Sequence, residues 1–272
     1  MKLDKETRTY DCEPILTDSQ VLEFCKQGFL MLEGVVPDEI NRRTFAYLDV
    51  HRSHEPSTIL LEDWFVNNVL LQPQAAGAVR SVLGKNVGLP VLMSNHRVEC
   101  PASAQGWHHD ADSLFGPEVN YLQVFYYPQD VLTKMGPTEV LPCSHLTPTQ
   151  RDPAWQGGVL TAVPAGSVFI TIYPILHRRS ASTTEGMRNL LKWNYWRTEP
   201  PQWNWIIEPD FDFHTANYGG HGVAKHVAHM LYWLCGKAVE FRTIGGQGWP
   251  YSGSQTNQIG KSYGFPSSLP RW

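Results

Sequence analysis

The chain lacks most of the features that classify a protein at sight. It has five cysteines, Cys12, Cys25, Cys100, Cys143 and Cys235, an odd number at irregular spacing with no C-x-x-C pair. Neither a disulfide framework nor a structural zinc site is therefore expected. It has no Lys/Arg stripe and a formal net charge of -4, which argues against a nucleic-acid partner. No run approaches the ~20 apolar residues of a membrane span. The first residues, Met1 to Arg8, carry no apolar signal region, so the expectation is a soluble, cytoplasmic protein with no membrane partner. There are no internal repeats.

What is present is apolar and aromatic. Of 272 residues, 42% are apolar, with ten Trp, eleven Tyr and eleven Phe, enough for a substantial core and for rings that line a ligand pocket. Thr17 or Asp18 caps an amphipathic stretch over Val21 to Gln27, and Gly28 ends it. Phe29 to Leu32 reads as a strand. Pro37 opens a second helix to about His51, and weaker helical character runs from Glu62 to Leu83, with Gly84 as a stop. From Pro90 the pattern changes. Val91 to Val98, Tyr121 to Tyr127, Ser167 to Ile172 and Asn189 to Trp196 are strand-like and bounded by Gly and Pro. A helix over 221 to 235 follows, stopped by Gly236, and then a Gly/Ser/Pro-rich tail that forms an ordered cover or a lid. Helices followed by a mainly antiparallel β core predict one domain over 1–272: helices in 15–85, core at about 90–200, helix and tail in 201–272.

The chemistry starts at Gln105-Gly106-Trp107-His108-His109-Asp110. On an extended segment residues i and i+2 share a face, so His108 and Asp110 offer an imidazole and a carboxylate to one metal ion. His109 has Ala111 at that spacing and is assigned to the pocket wall or surface. One H-x-D among eleven histidines is near chance. A partner appears after the strand Ser167 to Ile172, at His177. Two histidines and one carboxylate make the facial triad of non-haem iron, which leaves positions for a cosubstrate and O2. Eleven residues on, Arg188 opens the next strand, and its planar fork matches a carboxylate. His145 reads as a turn-stabilising donor. His96, His214, His221, His226 and His229 read as surface or helix residues.

This ordering resembles the phytanoyl-CoA dioxygenase (PhyH) family of Fe(II)/2-oxoglutarate-dependent oxygenases. The resemblance covers roughly residues 15 to 200. It rests on Gln105-x-x-His108-x-Asp110, on the middle motif from Gly136 through Thr138 to His145, and on His177 and Arg188. Two positions depart from the family pattern: Met135 stands where Asn is usual before Gly136, and Cys143 stands where Gly is usual before Ser144-His145. The resemblance implies a double-stranded β-helix (jelly-roll, cupin-like) core with flanking α-helices. It implies Fe(II) on His108, Asp110 and His177, and 2-oxoglutarate docked on Arg188 with help from Gln105 and Thr138. It further implies hydroxylation of an unactivated C–H with O2, 2-oxoglutarate leaving as succinate and CO2. The carboxylate at Asp110 excludes the halogenase variant.

The substrate is a small molecule that the triad does not specify. Arg178 and Arg179 follow the distal histidine, Arg97 precedes the first motif, and Asp112 shares the parity of Asp110. Together with His109 they predict a small anionic or zwitterionic metabolite, an amino acid or an aminophosphonate such as 2-aminoethylphosphonate. The alternatives are an aromatic or terpenoid natural product, a cupin-like metal enzyme that does not use 2-oxoglutarate, and a non-catalytic binding protein.

Overall fold

The computed structural model describes residues 1–148, 157–220, 223–244 and 246. A short hairpin, β1 (Lys2–Asp4) and β2 (Thr9–Asp11), leads into α1 (Asp18–Gln27) and β3 (Phe29–Leu32). Three helices follow: α2 (Asp38–Val50), α3 (Asp63–Phe65) and α4 (Pro73–Leu83). The β region then runs through β4 (Val87–Gly88), β5 (Ser94–Asn95), β6 (Val98–Cys100), β7 (Tyr121–Tyr127), β8 (Thr138–Val140) and β9 (Val159–Leu160). It continues with β10 (Ser167–Ile172), β11 (His177–Arg179), β12 (Gly186–Arg188) and β13 (Leu191–Trp196), and α5 (Ala224–Leu234) and α6 (Ala238–Thr243) follow. No helix of the described residues is long and apolar enough to cross a membrane.

Local chemistry explains the boundaries. Thr17 caps α1 in a reciprocal capping box with Gln20, and Gly28 closes the helix at φ 82°, a left-handed conformation that suits glycine. The weak helical run after Glu62 is broken, not continuous. Pro73 cannot extend a helix from before it, so α4 starts afresh with the Gln72 side chain accepting from the Ala75 amide. The strand expected over Val91 to Val98 reduces to β5 and the start of β6. Val91 and Leu92 are each 59% exposed, so that part of the run has no face to bury.

The largest sheet runs β1-β2-β4-β13-β7-β10-β3, with β5 pairing β13. A smaller one runs β11-β8-β9, and β12 pairs with β6. All the ladder pairings are antiparallel. Alternation along β7 separates two cores, as a period of two requires. Leu122, Val124 and Tyr126 pack with the helices in one cluster. Phe125 and Tyr127 pack with Phe169 of β10, Val140 of β8 and Leu190 in another, enclosed between the sheets. Phe125 and Phe169 stack at its centre, 4.3 Å between ring centroids. Two facing antiparallel sheets with helices on the outer side make the expected jelly-roll core with flanking α-helices. The C-terminal tail and His221 lie outside the described residues.

Candidate metal centre and adjoining cavities

Register builds the centre. His108 and His177 form an isolated antiparallel bridge in which each backbone N–H donates to the other's carbonyl at 3.0 Å. Residues directly opposite in such a pair project to the same side, and the two rings lie 4.5 Å apart, centroid to centroid. Asp110 follows two residues on, with Oδ1 3.8 Å from His177 Nε2. One donor atom from each of His108, Asp110 and His177 falls within 4.8 Å of the others.

Both imidazoles are held in the tautomer a metal needs. His108 Nδ1 is 2.9 Å from the Gly106 carbonyl and His177 Nδ1 is 3.1 Å from that of Ile175. A carbonyl only accepts, so each Nδ1 carries the proton and each Nε2 presents a lone pair. Burial pushes His177 down to about 4, against the pull of Asp110, which keeps the ring neutral at ordinary pH. Burial alone would raise the Asp110 carboxyl; the Lys192 ammonium and His177, with hydrogen bonds from Lys192 and Gln123, hold it down to about 2. Lys192 Nζ lies 2.8 Å from Asp110 Oδ2, and Gln123 donates to the same oxygen. Two donors on Oδ2 leave Oδ1 facing His177. Two imidazoles, each turned to offer Nε2, and one anionic oxygen are a donor set that fits a divalent iron.

Arg188 is 1% exposed and has no carboxylate partner among the described residues. One amine end donates to the Gly136 carbonyl and Nε has no partner. Gly136, the glycine of the middle motif, sits at φ 69°. The next motif position that departs from the family pattern, Cys143, keeps the glycine-like turn, at φ 65°. Arg188 lines a cavity of about 350 Å³ with Gln105, Arg179, Arg97, Asn95 and His96. Arg179 Nε is likewise buried without a partner, and desolvation, with Arg179 as a like charge, lowers the Arg188 pKa from its ordinary value. Two guanidiniums that repel each other across one cavity make a site for an anion.

The remaining sequence-predicted residues are placed as follows. Gln105 lines the Arg188 cavity and exchanges backbone and side-chain hydrogen bonds with Arg179. Thr138 does not line it; the Thr138 hydroxyl accepts from Tyr127 in a buried network with Thr161. Arg178 is occupied, 2.6 Å from Glu139 Oε2 and 4.6 Å over the Trp107 ring. Arg97 reaches Asp49 at 3.5 Å and the Asn189 side chain at 3.3 Å. Asp112 lies elsewhere, on a cleft of about 710 Å³ that no arginine lines. Arg97 and Arg179 thus share the Arg188 cavity, while Asp112, expected to grip the same zwitterion, does not line it. His109 holds the wall of that cleft, with Nδ1 2.6 Å from the Pro174 carbonyl and its ring edge-on to Phe115. His145 donates to the Cys25 carbonyl at 2.9 Å, the structural role expected of it.

Three side chains facing the site were not anticipated. His96, expected at the surface, lines the Arg188 cavity, and burial pushes it down to about 3. Lys192 and Gln123 hold Asp110. For Lys192 a signal existed: it shares strand parity with Arg188, so both point into the barrel. Gln123 is one polar residue in an apolar strand, where a partner is required. His96 carries no such signal, because the strand expected around it is not formed.

Neither a protein-family model nor a curated protein matches the sequence. Solved structures share the fold. HygX from Streptomyces hygroscopicus, with nickel and 2-oxoglutarate bound, is 17% identical over 68% of this chain and 88% of that one, at a TM-score of 0.55. ThoJ, a non-heme monooxygenase solved as its nickel complex, is 18% identical over 82% of this chain and 98% of that one, at 0.54. SnoK, a non-heme alpha ketoglutarate dependent carbocyclase from nogalamycin biosynthesis, is 18% identical over 72% and 84%, at 0.53. At these identities the likeness establishes the fold; the chemistry is argued from the site.

Proposed function

We propose that the chain is an Fe(II)/2-oxoglutarate-dependent oxygenase that hydroxylates a C–H bond of a small molecule. His108, Asp110 and His177 hold the iron, and Arg188 takes the far carboxylate of 2-oxoglutarate. The observation that carries this reading is the buried Arg188 guanidinium, without a carboxylate among the described residues, in a cavity beside a two-imidazole, one-carboxylate cluster. A buried cation left alone is costly, and a dicarboxylate that chelates the metal at one end satisfies it at the other. The fold neighbours support the assignment, since HygX is solved with nickel and 2-oxoglutarate bound. The motif resemblance to phytanoyl-CoA dioxygenases points the same way.

When bound, iron(II), 2-oxoglutarate and O2 supply an oxidant strong enough for an unactivated C–H bond. The chain's residues do the rest. Gly106 and Ile175 carbonyls fix the ring tautomers, and Lys192 and Gln123 orient Asp110 through Oδ2. Arg188, Arg179 and Gln105 bind and orient the cosubstrate, and the inner core around Phe125 and Phe169 excludes water from below. Anaerobic addition of Fe(II) and then 2-oxoglutarate is expected to give the weak visible charge-transfer band of this class. Iron binding with no such band and no succinate formation sinks the reading in favour of a cupin-like enzyme that does not use 2-oxoglutarate.

A further inference from the structure

On the other side of Asp110, the cleft of about 710 Å³ is lined by two carboxylates, Asp112 and Glu118, by the amides of Asn120 and Asn194, and by Tyr121 and Tyr173. No lysine, arginine or histidine is among its lining residues. It adjoins the metal centre: the Tyr173 hydroxyl donates to the carbonyl of Ala111, between Asp110 and Asp112, at 3.0 Å. We propose that this cleft takes a polyhydroxylated ring compound bearing protonated amines, of the aminosugar or aminocyclitol class. The proposal rests on the oxygenase reading above only for what happens to the bound compound.

Two independent observations point to a ligand rich in donors. The first is the charge of the cleft, negative with no cation among its described lining residues; Lys192, which holds Asp110, is engaged with Oδ2 at 2.8 Å. The second is a rung of the sheet. Asn194 of β13, Gln123 of β7 and Thr171 of β10 stand opposite one another in register. Gln123 is 1% exposed and Thr171 0%. Gln123 Oε1, Thr171 Oγ1 and Asn194 Oδ1 are all buried without a partner among the described residues; Asn194 lines the cleft, and Gln123 and Thr171 stand next to it in the rung without lining it. Gln123 Nε2 donates to a carboxylate oxygen, which leaves Oε1 as the acceptor. Buried polar atoms without a partner are destabilising, and the amide oxygen of Gln123 can be satisfied only by a donor. Hydroxyl and ammonium groups supply donors, whereas a carboxylate or phosphate group supplies none. Tyr121, 55% exposed, offers an aromatic face for the C–H face of a saturated ring or for an ammonium. The volume of about 710 Å³ lies within the range of pockets that take drug-sized ligands.

The test is calorimetric titration of the metal-free protein with neamine, its fully N-acetylated form, the neutral disaccharide trehalose and the anionic disaccharide maltobionate. Neamine is expected to bind at least about tenfold more tightly than the other three, and less tightly as salt is raised. Asp112→Asn and Glu118→Gln, both at exposed positions, are each expected to weaken it roughly threefold to tenfold and to leave the thermal midpoint unchanged. Equal or tighter binding of the acetylated form, trehalose or maltobionate overturns the proposal, as does no binding of neamine at millimolar concentration. The charge-transfer band separates the two readings. A band with the wrong ligand preference removes the substrate class alone. Neamine selectivity with no band leaves the cleft assignment standing and removes the oxygenase.

Discussion

Replacing Arg188 separates a cosubstrate dock from a structural cation. In the free protein the guanidinium is 1% exposed and donates to Gly136, with no carboxylate beside it among the described residues. Arg188→Met removes that hydrogen bond, which to a charged group stabilises by ~1.5–3 kcal/mol. It also removes a desolvation penalty of several kcal/mol, about the same size and opposite in sign. The apo protein is therefore expected to unfold within about 2 kcal/mol of wild type, in either direction. Binding of 2-oxoglutarate should behave quite differently. A forked guanidinium–carboxylate contact makes two charged hydrogen bonds, together worth about 3–6 kcal/mol, so affinity should fall by roughly two to four orders of magnitude. Arg188→Lys keeps the charge without the fork and should fall in between. Urea unfolding of the apo proteins gives the first quantity, and anaerobic titration of Fe(II)-loaded protein with 2-oxoglutarate gives the second. If Arg188→Met loses most of its stability while binding 2-oxoglutarate like wild type, the cation is structural and the reasoning fails.

Lys192→Met frees Asp110 Oδ2 from its closest cation, and Fe(II) or Co(II) affinity is expected to drop about 10–100-fold; unchanged affinity in a competition titration with a chelating dye removes that role. Acid should destabilise the apo protein in a defined window. His145 and His177, each held at about 4 by burial, bind protons in the unfolded chain below its ordinary value of about 6.5. Between those values the unfolded state binds more protons, so stability falls as pH drops from about 6.5 to 4. Asp110, at about 2, adds a further loss as pH falls from about 4 towards 2. Urea midpoints across pH should show this, with a shallower slope for His145→Gln; a flat profile contradicts the burial argument. Gly28→Ala places a methyl group in the His145 ring at φ 82° and should cost about 1–3 kcal/mol or more, read as a lowered thermal midpoint. Cys143→Gly, at φ 65°, should instead stabilise by about 1 kcal/mol, and a lower midpoint would argue against strain there.

The parts of the fold legible in the sequence are those where local chemistry and burial agree. Thr17, Gly28, Ser167 to Ile172 and the run after Asn189 each carry their own cap, stop or alternation, and the structure has α1, β10 and β13 there. The first hairpin, the bend at His96 and the short β11 were not legible, because each owes its conformation to a distant partner. β2 pairs with β4, His96 donates to the Leu190 carbonyl, and β11 pairs with β8. The same division holds in the site. His108 with Asp110 is a local spacing; the bridge from His108 to His177 is a register, which no spacing states.

One segment nevertheless encodes more of the site than it first showed. From Arg188 through β13, every second residue faces the barrel: Leu190 lies in the inner core, Lys192 meets Asp110 and Asn194 lines the cleft. At ~3.3 Å per residue, Arg188 and Asn194 are about 20 Å apart along an extended chain, and Lys192 stands between them. The strand thus serves as a ruler: anion site, metal carboxylate and donor-seeking cleft follow in that order. An insertion of one residue between Arg188 and Leu191 would reverse the parity of Arg188 relative to the other two. Such a variant should keep the Asp110 contacts of Lys192 and bind metal, yet lose 2-oxoglutarate. Retained cosubstrate affinity in it would show that the position of Arg188 is set by β6 and Gly136 and not by continuity with β13.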